Sequence, residues 1–273
     1  MKEGILIIGC GEIGTSLVDG WLNKKEAVYK RISNISIIEK DKKRVNYLKK
    51  KYSKKISFLN NEKSFYSSKK FKYVFLAFKP KDLNKDLYIY KNLFDYKTIF
   101  FSLLAGKKIL DISSFFPIRK NIIRLMLNTP IFLNKGTIIY FSLKKEVKKK
   151  DLFLLHSLGD VFPIKNESLF DILTAVVGSG PAFFYLLIES MEKKAILSGL
   201  NKNFVHQILK KTFFGTASIV NESNYNFSEL REKVTSKGGT TEAAMKYLQR
   251  RNFQKLIEKS IDESVKKAKN LSS

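Results

Sequence analysis

The apolar residues in the first half of the chain fall into short compact runs separated by polar or amphipathic stretches. Gly4–Ile8, Ile35–Glu39, Tyr73–Phe78, Thr98–Leu103, Ile122–Leu127 and Thr137–Phe141 read as six strands. Thr15–Leu22 has helical spacing, as does a lysine-rich stretch around Arg44, Val45 and Leu48, while the Lys144–Lys150 charge run reads as a solvated helix start. Strands separated by helices imply a mostly parallel sheet, because parallel neighbours need crossover connections rather than tight hairpins. From Pro181 onward the pattern is helical only. Phe184, Leu187, Ile188, Met191 and Ala195 recur at i, i+3 and i+4, Pro181 suits a first helical turn, and Gly199 suits a helix end. Asn203–Val220 and Thr241–Leu248 repeat the pattern. The fold class is therefore α/β followed by all-α, with domains over residues 1–165 and 166–273 and a boundary near 163–172. There is no internal repeat and no low-complexity linker.

Composition narrows the chemistry. The chain has 273 residues with 44% hydrophobic and 28% charged positions, enough apolar material for two packed cores. One cysteine, Cys10, rules out an internal disulfide framework. Two histidines leave little room for a histidine metal site or a Ser-His-Asp arrangement, and no metal is expected. The net charge of +26 first suggests nucleic acid or an anionic membrane. Yet 44 of the 51 basic residues are lysine, whereas nucleic-acid readers favour arginine. The lysines accompany 22 Phe and 12 Tyr against one Trp, the signature of AT-rich codons, so the excess reads as drift on a solvated surface. No nucleic-acid or membrane partner is expected: the N-terminal apolar run is too short for a signal segment, and no 18-residue uncharged stretch occurs. The chain reads as cytoplasmic.

Specific chemistry sits in a few segments. Gly9, Cys10, Gly11, Glu12, Ile13 and Gly14 form G-x-G-x-x-G between a strand and a helix. There glycines allow a tight turn, close approach to a pyrophosphate and helix–strand packing, and the helix N-terminus offers free N–H groups. Cys10 reads as a small filler. Glu39 lies 25 residues beyond Gly14, where a carboxylate accepts ribose hydroxyls and repels a 2′-phosphate, which favours NADH. Lys40, Lys42 and Arg44 offer the opposite preference, so NADH and NADPH both stay open. Ala77-Phe78-Lys79-Pro80 and Asn128-Thr129-Pro130 fall at the carboxyl ends of strands, the ligand-binding edge of open α/β sheets. In the helical half, Leu230–Ala244 carries hydroxyls and a Gly-Gly pair that lead into a helix. It reads either as a capping arrangement, with Gly239 as N-cap and Glu242 three residues on, or as an anion pocket, and the two are compatible.

These segments, with Ser102–Gly106 and Gly178-Ser179-Gly180-Pro181-Ala182, occur in the order and spacing seen in pyrroline-5-carboxylate reductases, from about Gly4 to Lys267. The chain resembles that family. The resemblance implies a Rossmann-like first domain and a helical second domain that forms a homodimer, with dimers commonly assembled into decamers. It implies reduction of 1-pyrroline-5-carboxylate to L-proline by NADH or NADPH, the last step of proline synthesis. By position, Thr241 resembles the hydroxyl that hydrogen-bonds the ring nitrogen, and Ser236, Gly239 and Thr240 the loop around the substrate carboxylate, with Ser179 also on the substrate side. Lys79, Pro80, Ala105 and Asn128 resemble the nicotinamide side, joined by Ala77, while Gly9–Gly14, Glu39 and Lys40 take the rest of the cofactor. With the loops far apart in sequence, the resemblance places the site between domains. Two residues depart from the family pattern: Leu127 and Lys237 stand where proline is usual. Without proline at 237 the loop is freer before substrate arrives, which predicts retained activity with a raised KM. Another imine or 2-oxo-acid reductase, a non-catalytic dinucleotide binder and a nucleic-acid binder are the alternatives.

Overall fold

The structure is a computed structural model, and it describes residues 3–24, 28, 30–52, 55–59, 71–83, 90, 92–115 and 121–270. Contacts divide the chain into two compact units, Met1–Gly178 with Ser264–Ser273, and Ser179–Glu263. The sequence pattern places its boundary at 165/166.

In the first unit the strands are β1 (Glu3–Ile8), β2 (Ile32–Ile38), β3 (Ser57–Phe58), β4 (Tyr73–Leu76), β5 (Ile99–Ser102), β6 (Ile122–Leu127), β7 (Gly136–Ser142) and β8 (Gly159–Pro163). They form one sheet in the order β3-β2-β1-β4-β5-β6-β7-β8. Among the described residues its α-helices of five residues or more are α1 (Glu12–Asn23), α2 (Lys42–Tyr52), α3 (Ile109–Ser113) and α4 (Lys149–His156). Successive residues of β1 feed opposite cores. Ile5 and Ile7 pack with Leu17, Trp21, Phe75 and Phe101 on one face, and Leu6 and Ile8 with Val74, Phe100 and Ile109 on the other. A sheet buried on both faces explains why its strands are continuous apolar runs. Trp21 meets Phe75 edge-on with centroids 4.9 Å apart, and its indole N–H donates to the Leu154 carbonyl at 3.0 Å.

Three local details add to the sequence pattern. β7 runs antiparallel to β6, because residues 128–135 are too few for a crossover helix. β3 and β8 add to the six expected strands. β8 was illegible because it is a largely exposed edge strand whose residues, Gly-Asp-Val-Phe-Pro, form no apolar run. The Lys144–Lys150 run becomes helical only at Lys149.

The second unit contains α5 (Gly180–Leu197), α6 (Lys202–Glu222), α7 (Phe227–Lys233) and α8 (Thr240–Arg250), followed by α9 (Phe253–Asn270), whose last residues belong to the first unit. Pro181 lies in the first turn of α5, and Gly199, at φ 94°, follows its end. Phe184, Tyr185, Leu186 and Leu187 are all at least half exposed. The helical stretch Glu167–Leu197 is long and apolar enough, by length and composition, to cross a membrane, with mean hydropathy 1.6 over an 18-residue window. An expectation based on uncharged run length alone did not anticipate it.

Candidate active site

The glycine loop joins β1 to α1 beside the point where strand order reverses between β1 and β4, the position at which open α/β sheets take ligands. Each glycine has its own reason. Gly9 has φ 81°, and a Cβ there would sit 2.7 Å from the Phe78 backbone. Gly11 caps α1 without any side-chain bond, and a Cβ there would meet nothing within 4 Å. The first-turn N–H groups of α1 therefore face open space at a positive helix end, which suits a pyrophosphate. The residues present fit a dinucleotide.

Glu39 follows β2 directly and is fastened at both oxygens: Oε2 accepts the Cys10 N–H at 2.7 Å and Oε1 the Asp41 N–H at 3.0 Å. Two cavities of about 460 and 80 Å³ share Ile38, Glu39, Lys40 and Tyr90 as walls. Arg44, which the sequence offers for a 2′-phosphate, is bonded to the glycine loop through Nε and Nη2. Its Nε donates to the Cys10 carbonyl at 2.9 Å, and its Nη2 to the Thr15 hydroxyl at 2.6 Å while pairing with Glu12 at 3.2 Å. Arg44 braces the loop from α2. Burial pushes the Cys10 thiol up to about 12, against smaller lowering by Thr15 and Arg44, so it stays a neutral filler at physiological pH.

The remaining first-unit candidates gather along the same edge. Ala77 and Lys79 follow β4, with Pro80 opening a 3-10 turn to Asp82, and Ala105 follows β5. Asn128 follows β6, and its side-chain oxygen accepts the Thr137 N–H at 3.0 Å, closing the link to β7. Leu127, buried at the end of β6, pairs with Ile138 in register. Tyr90 and the Phe78 backbone are walls that sequence reasoning did not single out. Arg44's bracing role was equally hidden, since its partners lie 29 and 34 residues away.

Ser179, Ser236, Gly239, Thr240 and Thr241 belong to the second unit. Ser179 is the N-cap of α5, Ser236 and Gly239 lie between α7 and α8, and Thr240 and Thr241 are the first two residues of α8. Gly239 caps α8, and its N–H donates to the Ser236 carbonyl at 3.0 Å. Gly238, at φ 76°, takes a conformation that favours glycine, and its N–H donates to Glu242 Oε2 at 2.9 Å. The capping by Glu242 therefore falls one residue before the N-cap. That bond, with the Lys246 ammonium 3.0 Å from Glu242 Oε1, holds the Glu242 carboxyl below its ordinary range. Among the described residues, the Thr241 hydroxyl has no hydrogen-bond partner.

A glycine-rich phosphate loop at the switch point of a Rossmann-like sheet, followed by a helical domain, defines the class: an oxidoreductase that uses a nicotinamide dinucleotide. Residues 167–271 match the family model described as pyrroline-5-carboxylate reductase dimerisation, and residues 4–99 that described as NADP oxidoreductase coenzyme F420-dependent. Pyrroline-5-carboxylate reductase 2 of Bacillus subtilis is 33% identical, over 98% of this chain and 94% of its own length. The Aquifex aeolicus enzyme is 34% identical over 72% and 74%. Among solved structures, Plasmodium falciparum pyrroline carboxylate reductase with NADP bound aligns at TM-score 0.81 and 24% identity, covering 99% of this chain and 98% of that one. The Coxiella burnetii enzyme aligns at 0.79 and 26%, covering 100% of each. The chain belongs to the pyrroline-5-carboxylate reductase family.

Proposed function

We propose that the chain reduces 1-pyrroline-5-carboxylate to L-proline with a reduced nicotinamide dinucleotide, the last step of proline synthesis. The observation that carries this reading is the open, uncapped glycine loop at the switch point, in a chain related to pyrroline-5-carboxylate reductases over nearly its whole length. When bound, the dinucleotide supplies a hydride to the C=N carbon, and the electron pair of that bond settles on nitrogen with a proton. A protonated imine is already electrophilic, so the protein's part is positioning and one well-placed hydrogen bond. The first-turn N–H groups of α1 hold the pyrophosphate, and Ala77, Lys79, Pro80, Ala105 and Asn128 form the nicotinamide side. In the second unit Ser236, Gly239 and Thr240 receive the substrate carboxylate, with Ser179 nearby in role, and the Thr241 hydroxyl bonds the ring nitrogen.

The cavity of about 460 Å³ takes the adenosine ribose, with Glu39, Lys40 and Lys42 among its walls. With Arg44 committed to the loop, the carboxylate leads there, and the preference is for NADH. The exposed apolar surface of α5 is covered by a second copy, which makes the chain a homodimer through its C-terminal helices, with dimers assembling into a decamer. The first turns of α5, Pro181–Ile188, are apolar all round and need such cover, and the Glu167–Leu197 stretch lies within the residues matched by the dimerisation model. The enzyme works in the cytoplasm, with neither nucleic acid nor membrane as partner.

The test is oxidation of NADH and of NADPH by the purified chain with 1-pyrroline-5-carboxylate at neutral pH. Turnover is expected with both, faster with NADH, and no turnover with either overturns the reading. Thr241→Ala should lower kcat by about tenfold or more, the scale of one lost transition-state hydrogen bond, and an unchanged kcat would remove Thr241 from its role.

A further inference from the structure

The sheet edge opposite the glycine loop holds a second cavity, of about 630 Å³. Its walls come from the starts of strands: Glu3 opens β1, Arg31 precedes β2 and Tyr73 opens β4, while Lys150, Asp151 and Phe153 face it from α4. None of these residues serves the reductase site.

Asp151 is the feature that needs an explanation. It is only 8% exposed, and its Oδ1 is buried without a hydrogen-bond partner. A buried carboxylate oxygen left without a donor is costly, so it marks either a deficiency or the place of a ligand donor. The surroundings supply the opposite chemistry in excess. Lys30, Arg31 and Lys150 line the same cavity and, among the described residues, form no ion pair. Two further charged walls are already engaged: the Lys72 ammonium donates to the Lys97 carbonyl at 2.8 Å, and Glu3 accepts from the Tyr73 phenol. That phenol is pushed upward by burial, then by the Glu3 charge and bond and by Asp151, and is drawn down by Arg31. Tyr73 thus has Glu3, Asp151 and Arg31 all within electrostatic reach, which makes these groups one cluster. The Arg31 guanidinium stands over the Phe153 ring at 5.1 Å, which gives one wall a fixed cation above an apolar face.

What remains available is one buried acceptor and three cations. A simple anion satisfies the cations and leaves Asp151 orphaned, and a simple cation does the reverse. We propose that this cavity is a binding site for an acidic α-amino acid, with its ammonium on Asp151 Oδ1 and its two carboxylates among Lys30, Arg31 and Lys150. The cavity holds four cations against two carboxylates, and the ligand's net single negative charge offsets half of that surplus.

Calorimetric titration of the full-length chain with L-glutamate tests the proposal, with glutarate and inorganic phosphate as probes that lack the ammonium. L-Glutamate should bind saturably, and glutarate about tenfold more weakly, the worth of one charge-assisted bond. Asp151→Asn, which keeps shape and volume, should abolish the difference between the two. Arg31→Gln, on the opposite wall, should weaken both by about tenfold. Absence of saturable L-glutamate binding overturns the proposal and leaves water as the partner of Asp151. Glutarate or phosphate binding as tightly as L-glutamate overturns it in favour of a plain anion patch. Unchanged affinity in Asp151→Asn overturns it as well. Binding rather than turnover is the readout, so the outcome is independent of whether the reductase reading holds.

Discussion

Arg124 and Glu167 form an ion pair with N···O 3.1 Å, and their side chains are only 5% and 16% exposed. Glu167 Oε1 also accepts the Ile109 N–H at 2.9 Å, and the Arg124 guanidinium lies 4.2 Å from the Phe170 ring centroid. One carboxylate thus ties β6, α3 and the segment after β8 together. Glu167→Ala leaves a buried guanidinium without its counter-charge, a loss of about 3–5 kcal/mol. The orphaned Ile109 N–H adds to this, while partial water access at position 167 and the retained cation–π contact, about 1–2 kcal/mol, reduce it. The expected destabilisation is about 3 kcal/mol. Trp21 is the sole tryptophan and is fully buried in the first unit, so its fluorescence reports that unit's unfolding in urea. In a thermal scan the same loss lowers Tm by about 6–12 °C for a domain of this size. Arg124→Met combined with Glu167→Met removes both charges and should recover at least half of the loss, because a buried pair is worth little over an apolar replacement. The reasoning is refuted if Glu167→Ala stays within about 1 kcal/mol of the native chain, a surface-pair value, or if the double variant is as unstable as the single.

The same pair shows what the residues made legible and what they did not. β1, β4, β5 and β6 could be read because burial on both faces makes them nearly continuous apolar runs, as in Ile5–Ile8 and Tyr73–Leu76, with Ser102 in β5 and Arg124 in β6 as buried exceptions. Strand direction was not written in the residues of β7 but in the brevity of the 128–135 connection. The glycine loop could be read because strand, glycine spacing and helix are contiguous, so that local geometry alone creates the anion site. Arg44 looked like a phosphate ligand because a cation after β2 has that role available. Only the fold brings its guanidinium to Cys10 and Thr15 and commits it there. Residues 167–178 read as the start of the helical half; they are helical and open the dimerisation match at 167, while their contacts group them with the first unit. The Arg124–Glu167 pair that holds them spans 43 positions and has no local signature. Glu242 appeared three residues after an expected N-cap, but the positive φ of Gly238 moved its bond to that residue's N–H.

Gly9→Ala combines a left-handed φ, about 1–2 kcal/mol for a residue with a Cβ, with a clash against the Phe78 backbone, about 1–3 kcal/mol. It should lower the Trp21-monitored stability by about 3 kcal/mol and weaken NADH binding measured by fluorescence, and native-like stability would show that the loop can relax around the methyl. Glu39→Ala should move the NADH to NADPH ratio of kcat/KM at least severalfold toward NADPH, and an unmoved ratio would show that the carboxylate serves only the Cys10 and Asp41 N–H groups. Glu242→Ala frees the Gly238 N–H in the loop that leads into α8, so KM for the imine should rise severalfold. The pH dependence separates this clamp from a general loss of structure. Because the folded loop holds the Glu242 carboxyl below its ordinary range, the ionised clamp is fully formed at neutral pH and is released only as pH falls through that lowered value. Native KM should therefore hold steady from neutral pH through the ordinary carboxylate range and climb toward that of the variant only below it, with the two curves converging in acid. Parallel curves at every pH would mean that the bond from the Gly238 N–H to Glu242 does not set the loop.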